Sequence, residues 1–531
     1  MDGAIRPKAS GYSEAGASKT RRALKGFTAV SSSPNEDINW NNFTLRQRAR
    51  MLTMSSPVAA SAINTNKTKV VGTGLKLKAS INHVELGMTP EAAKEWAQNT
   101  ENEFAIWANK AANCDAIGIN DFYGLQQLVC GSWLTNGDVF ALFKWYKETP
   151  TNPYQLRVHL IEADRISTPY STGVVLPTAI TDGKNLKTGN KIFDGVEIDK
   201  NGMVVAYHVC DSYPNQKMRD KMKWKRVAAY GKRTGLPMIL HIMDSERCDQ
   251  YRGVSYLAPV IETLLNISRY TQSELMAALI QSFHTAWIKT NTDTSEIPVN
   301  EVGDGVDESE LPESNDTSFE NENEYEMGPG TVLHLKPDED VVFGDPKIPT
   351  QGFDVFVKVL CKEIGAALGI PYDTLLKEFN ASYSASRAAL MEAWESFKMR
   401  RSMLVNKFCQ PTYERWLCEA VAIGRIKAPG FFSDPRIRAA WCKARWIGPV
   451  QGQLDPTKEV KANIMAVAHG YKTNEQVAIE YGGDWSENVE QLAREKAALE
   501  AAGLSSTSDV NQMVNEPDAS EKEGGDNAEV T

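Results

Sequence analysis

The chain has 531 residues, 42% of them hydrophobic and 24% charged, with a formal net charge of −10. Those proportions are ordinary for a soluble globular protein, and the length calls for two to four structural units. No window offers the ~20 uninterrupted apolar residues of a membrane span, so no membrane is expected among the partners.

The charge is unevenly spread. Met1–Ser80 carries 13 Lys and Arg against 4 Asp and Glu, Asn291–Asp345 carries 17 acids against Lys336 alone, and Asp509–Thr531 carries 7 acids against Lys522. A basic start, an acidic middle and an acidic tail read as separate functional zones. The N-terminus lacks a compact apolar stretch, so no secretory signal is expected. The eight cysteines are scattered with no C-x-x-C pair and read as reduced, buried thiols.

Residues 1–35, rich in Ala, Gly, Ser, Lys and Arg, read as a disordered basic arm, with structure beginning near Ile38. Met51–Val71 reads as helical and then extended, and Leu75–Ile81 as a strand. Thr89-Pro90-Glu91 opens a helix: Thr89 caps it, Pro90 suits the first turn, and Trp96, Phe104 and Trp107 recur on one face. Alternation predicts a strand at Leu156–Leu160. The turn Asp199–Gly202 predicts a hairpin joining Gly195–Ile198 to Met203–Val209, and Met238–Met243 is a further short strand.

From Val260 to about Lys289 the composition is that of one long helix, about 43 Å at 1.5 Å per residue. The acidic insertion follows. Phe353, Phe356, Val357, Leu360, Ile364 and Leu368 then set the face of a second helix over Gln351–Leu368, stopped by Gly369 and Pro371. A polar link, Lys377–Ser384, leads to a third helix from Ala385, where Leu390, Trp394, Phe397, Leu404 and Phe408 form a seam broken by Arg401. Pro411 interrupts or kinks it. Helices are predicted over Pro456–Ala468, Glu475–Tyr481 and Asn488–Ala502, ahead of a solvated tail. No internal repeat is present.

The stretch Arg252-Gly253-Val254-Ser255-Tyr256-Leu257-Ala258-Pro259-Val260 resembles the signature of lambda-type bacteriophage portal proteins, the head-tail connectors. Further segments resemble that family in the same order: Pro329–Thr331 through Asp340, Gly369–Tyr372, Ser382–Ala388, and Trp446–Gly448 with Asp455–Glu459. Gly72–Leu75, Glu162–Ile166 and Gly195–Glu197 do so upstream. The resemblance runs from Ile38 to Leu504 and implies an α+β portal fold. Its parts would be an α/β wing (36–253), a first stem helix (254–289), an acidic clip (290–349), a second stem helix (350–371), a tunnel loop (372–386), and a long wing helix with a helical crown (387–504). A disordered acidic tail (505–531) would close the chain.

The resemblance also implies a homo-oligomeric ring of about twelve copies at the portal vertex of the virion head, assembled in the host cytoplasm. Double-stranded DNA would pass through it in packaging and ejection. Terminase, the major capsid and scaffold proteins and a head-tail joining protein would be its partners. A conduit must surround DNA without gripping it, and acids near its mouth repel phosphate at short range. The clip acids Asp307, Glu308, Glu310, Glu320, Glu322 and Glu324 are the candidates to face terminase. Lys358 and Lys362, four apart on one helix face, and Lys377, Asn380, Ser382, Tyr383 and Ser384 are candidates to line the channel. Arg387 and Trp394 are candidates for subunit contacts, although Trp394 with Phe397 and Leu404 also suits a plain core.

Catalytic signatures are missing from the sequence. It has no G-x-x-x-x-G-K-[ST] loop, G-x-S-x-G elbow or H-E-x-x-H pair, and no zinc spacing of His and Cys. No enzyme activity, cofactor or metal is expected. His241 and Asp244, at i and i+3, lack a nearby nucleophile and read as structural. Two alternatives remain open at this point: a nuclease of phage DNA metabolism, which needs clustered acids for metals, and a different head or tail structural protein, which needs no channel.

Overall fold

The computed structural model describes residues 16–18, 21–169, 174–175, 182–185, 187–213, 216, 221–282, 286–290, 339–343, 352–378, 383–451 and 456–502. The chain divides into two compact units. One joins Met1–Glu262 to Cys361–Thr531, and the other is Thr263–Leu360.

A three-residue 3-10 helix, Arg22–Leu24, already lies within the stretch read as a disordered arm. The first α-helix, α1 (Pro34–Ser55), begins four residues before Ile38, because Ser33 and Glu36 form a reciprocal capping box with Pro34 in the first turn. Met51–Val71 is helical almost throughout rather than turning extended. Ser56 ends α1 and, accepting from the Ala59 N–H, caps α2 (Pro57–Val70). Helix α1 buries its polar side: Asn35, Asn39, Asn42 and Arg46 face inward, while Trp40, Phe43, Met51 and Met54 are exposed. The inversion has a cause in hydrogen bonding. Asn35 donates to the Asp249 carbonyl (3.2 Å), Asn42 to Gly253 (2.9 Å) and Arg46 to Asn136 (3.1 Å).

Strand β1 (Lys76–Ala79) follows, then α3 (Pro90–Ala108), capped by Thr89 as its sequence predicts. Next come α4 (Ala111–Cys114), α5 (Phe122–Asn136), β2 (Asp138–Trp145) and β3 (Leu156–Glu162). Strands β4 (Val174–Val175), β5 (Asp182–Asn185), β6 (Lys191–Phe193), β7 (Val196–Ile198), β8 (Val204–Cys210) and β9 (Trp224–Ala228) form one antiparallel sheet in sequential order. The expected hairpin is its β7–β8 pair, with a bulge at Glu197/Ile198. Strand β10 (Ile239–Met243) joins β2 and β3 in a second sheet, order β10-β2-β3. Phe140, Ile161 and Ile239 from that sheet pack with Val196, Tyr207 and Val209 from the first in one buried cluster.

The unit Thr263–Leu360 holds most of α6 (Ile261–Ser282), the strands β11 (Ala286–Thr290) and β12 (Glu339–Phe343), and the start of α7 (Phe353–Leu368). The long helix stops at Ser282, so its length is about 33 Å. Residues 286–290, expected in the helix, form a strand: Trp287 and Ile288 favour extended backbone, and they pair with Val342 and Val341. The acidic run thus leaves and re-enters through an antiparallel strand pair. Helices α6 and α7 lie side by side where Tyr270 meets Phe353 and Phe356, with ring centroids 5.4 and 5.2 Å apart.

Helix α8 (Tyr372–Leu376) precedes α9 (Tyr383–Leu404), which passes through a π-helical turn, Val405–Cys409, into α10 (Gln410–Ala422). The wider turn sits where Pro411 cannot donate a backbone hydrogen bond. Then come α11 (Pro435–Cys442), β13 (Ala444–Ile447) paired with β1, α12 (Pro456–Ala468), α13 (Asn474–Glu480) and α14 (Trp485–Ala501). Phe104, Trp107 and Phe122 interlock with Phe408, Tyr413 and Trp416 in an aromatic core that joins α3 and α5 to the π turn and α10. Six of the eight free cysteines are buried as expected, whereas Cys248 is exposed and Cys418 half-buried.

Candidate functional site

The Arg252–Val260 stretch closes a charged knot ahead of α6. Arg252 is fully buried. Its Nε and Nη2 grip Asp138 at 2.6 and 3.2 Å, Nη1 reaches Asp194 Oδ2 at 2.7 Å, and the carbonyls of Ala163 and Ile166 each accept at 2.9 Å. Arg46 from α1 adds a second cation beside Asp138, and Arg50 pairs with Asp164 at 2.6 Å. Burial alone would push the Asp138 carboxyl up. The Arg252 and Arg46 guanidiniums, with a bond from His241, outweigh it and hold the carboxyl well below its usual range. Gly253 lies against Gly137: a Cβ on Gly253 would stand 2.0 Å from the Gly137 carbonyl oxygen. Arg252 and Gly253 are therefore architectural. Leu257 and Val260, from the same stretch, are core residues.

His241 belongs to this knot, not to a dyad with Asp244. Its ring stacks on Phe140 (centroids 4.2 Å apart), and Nε2 lies 3.4 Å from Asp138.

A second junction gathers helix C-termini. Helix α7 ends in a Schellman turn: Ile370 N–H bonds the Gly365 carbonyl at 2.9 Å, and Gly369 takes a left-handed φ of +63°. The Leu368 carbonyl accepts from Tyr256 Oη and from Arg400 (3.2 Å). Arg401 caps α2, donating to the Lys69 and Val70 carbonyls at 2.7 and 2.9 Å. Cations at helix C-termini satisfy orphan carbonyls and the helix dipole together. The charged break in the α9 seam is thus a cap, and no local pattern marks it.

The predicted channel residues fall into distinct settings. Lys358 pairs with Asp354 one turn away at 3.0 Å. Lys362 lies 5.0 Å over the Tyr372 ring, at the edge of a groove of about 420 Å³ lined by Gly365, Gly369, Ala389, Glu392 and Ser396. Lys377 ends α8 in the left-handed region (φ 60°), and its ammonium donates to Thr65 Oγ1 at 3.1 Å. Burial and the nearby Lys69 push its pKa down. Tyr383 and Ser384 belong to the first turn of α9 rather than to a loop. Asn380, Ser382 and the acids Asp307, Glu308, Glu310, Glu320, Glu322 and Glu324 lie outside the described residues, as do residues 1–15, 291–338 and 503–531.

The two residues expected at subunit contacts have partners within the chain. Arg387 pairs with Glu459 at 3.4 Å. Trp394 is buried, packs on Phe397, and has Arg401 over its ring at 5.6 Å, so its place is the core. Among the described residues, no group of three or more His, Cys, Asp or Glu could hold a metal, and no helix is long and apolar enough to cross a membrane.

The model of the lambda family of phage portal proteins matches residues 20–401. Portal protein B of Escherichia phage lambda is 25% identical over 475 residues, covering 87% of this chain and 85% of that one. The portal protein of Escherichia phage N15 is 25% identical over 496 residues, covering 91% and 89%. The probable portal protein of Halomonas phage phiHAP-1 is 24% identical over 427 residues, covering 79% and 73%. Among solved structures, a chain from the neck of an empty GTA particle, computed with C6 symmetry, aligns with a TM-score of 0.44 at 13% identity, covering 83% of this chain and 93% of that one. The chain belongs to the lambda family of phage portal proteins, structural and non-enzymatic components of the phage head.

Proposed function

We propose that this portal protein forms a closed ring of about twelve copies at the unique head vertex. Double-stranded DNA is packaged and ejected through the ring, and terminase and head-tail joining proteins dock on it. In this reading residues 36–253 form the wing, 254–289 and 350–371 the stem, 290–349 the clip, 372–386 the tunnel loop, and 387–504 the long wing helix and crown. The scaffold and major capsid proteins meet the ring from the head side.

The observation that carries the reading is the unit Thr263–Leu360. Two long helices lie side by side, and an acidic run is carried between them by a strand pair. Leu265, Leu275, Met276, Val355, Phe356 and Val359 are exposed on those helices. An apolar surface of that kind marks an interface with other chains, and neighbouring copies would cover it. Lys358, Lys362 and Lys377, with Asn380, Ser382, Tyr383 and Ser384, would edge the channel, and Asp307, Glu308, Glu310, Glu320, Glu322 and Glu324 would face terminase.

Negative-stain images of the purified protein test the reading. Rings with a central hole as wide as a duplex are expected. Solid particles or solitary monomers at high concentration would sink it.

A further inference from the structure

The strand β9 and the segment that leads into it carry a concentration of positive charge. Residues 217–233 hold eight Lys and Arg against Asp220 alone. Within the described part, Lys221, Lys223 and Lys225 are all exposed and alternate with the half-buried Met222 and Trp224. Strand β9 is the outermost strand of its sheet. Arg226 is engaged, since its guanidinium grips the buried Glu197 at 2.7 and 3.1 Å. Among the described residues, the ammonium groups of these three lysines make no ion pair.

A second pair of cations adjoins them. Arg165 donates to the Cys210 carbonyl at 3.0 and 3.2 Å, and Cys210 pairs in register with Trp224, next to Lys225. Lys144, on β2, is close enough to Arg165 and Lys225 that, after burial, these two cations push its ammonium below the usual range. Burial, then Lys144 and Arg165, bring the His159 imidazole down to about 4. Asp211 accepts from the Lys223 N–H and from the Ser212 hydroxyl, each at 3.2 Å.

Clustered cations repel one another at a cost to folding, which a polyanion would reduce. Lys221 and Lys223 lie in the segment before β9 and Lys225 within it, three exposed cations at alternate positions. No large hydrophobic residue is exposed between Lys221 and Ala228. The run therefore lacks the apolar anchors on which a protein partner would depend.

We propose that Lys221, Lys223 and Lys225, with Arg165 and Lys144 beside them, form a site for the phosphate backbone of duplex DNA, separate from the stem and the residues assigned to the channel. The contact is sequence-independent and salt-sensitive. The choice of DNA over an acidic protein rests on the portal reading. The charge and geometry of the site do not.

The full-length protein is titrated against a short fluorescein-labelled duplex over a series of salt concentrations. The variant Lys221→Gln/Lys223→Gln/Lys225→Gln should bind roughly ten-fold or more weakly at low salt. Its log K against log salt should flatten by about 2.7, near 0.9 per lost phosphate contact. The arginine triple, Lys221→Arg/Lys223→Arg/Lys225→Arg, should keep the parent slope. An unchanged slope in the glutamine variant, with an unchanged melting curve, overturns the proposal. Polyglutamate binding that the glutamine variant abolishes while DNA binding persists overturns it in favour of an acidic protein. Ring formation, imaged separately, fails or succeeds independently of these readouts.

Discussion

The knot around Arg252 and the helix pair that follows it distribute their side chains in opposite ways. The knot buries charge: Arg46 and Arg252 are sealed inside with Asp138, every strong donor of Arg252 has an acceptor, and α1 turns its asparagines inward. The helix pair exposes hydrophobe: Leu275 is 59%, Val355 65% and Val359 54% accessible. The first arrangement pairs its buried ions within one chain, because a buried ion stripped of its counterion is strongly destabilising. The second is unfinished, because apolar surface gains by being covered. In the proposed ring, that second surface is the one a neighbouring copy would cover.

The sharpest way to break this contrast is to open the knot. Arg252→Met leaves Asp138 buried with its principal cation gone, and a loss of about 3–5 kcal/mol in urea unfolding is expected. A midpoint equal to the parent's would show that the knot is dispensable.

Acid probes the same region more gently. Asp138 has a depressed folded pKa, so its contribution is present above the unfolded value of about 4 and lost as pH falls through that region toward the folded value. His159 titrates near 4 when folded against 6.5 in its reference state, so the unfolded chain takes up its proton first. Stability should therefore decline as pH falls from 6.5 to 4. Thermal melts at both ends of that range should show part of the decline disappearing in His159→Gln. An identical pH slope in that variant would clear His159 of the effect.

The smallest change in folding is expected on the helix pair. Leu275→Ser/Val355→Thr/Val359→Thr should alter unfolding free energy by no more than about 0.5 kcal/mol per position, as for other exposed sites. Sedimentation should nevertheless show loss of large assemblies. A variant that still assembles would mean that this face is not the one neighbours cover.

Legibility followed the range of the interactions. Helices α3 and α7 and the β7–β8 hairpin were readable because caps, apolar period and turn residues lie within a few positions of one another. Helix α1 misleads, because its exposed side carries Trp40, Phe43 and Met51 while Asn42 bonds a carbonyl 211 residues away. The Val260–Lys289 stretch looked uniform, and the strand at its end depends on pairing with residues beyond the acidic run. Arg401 looked like a flaw in a seam, since its acceptors, the Lys69 and Val70 carbonyls, lie more than 300 positions earlier. Of the candidate site, the family signature was plain in the sequence. That Arg252 and Gly253 serve architecture was not, because Asp138 and Gly137 are remote in the chain.

The π turn at Val405–Cys409 acts as a phase adjuster. Before it, α9 turns Ala393, Trp394, Phe397 and Leu404 inward, and after it α10 turns in Thr412, Tyr413, Trp416 and Ala420. On an unbroken α-helical pitch the two sets would be offset by roughly 100°, the rotation contributed by one residue. Deleting a single residue there would leave the composition almost untouched and rotate Tyr413 and Trp416 away from Phe104. That aromatic cluster is therefore keyed to one surplus residue in a helix.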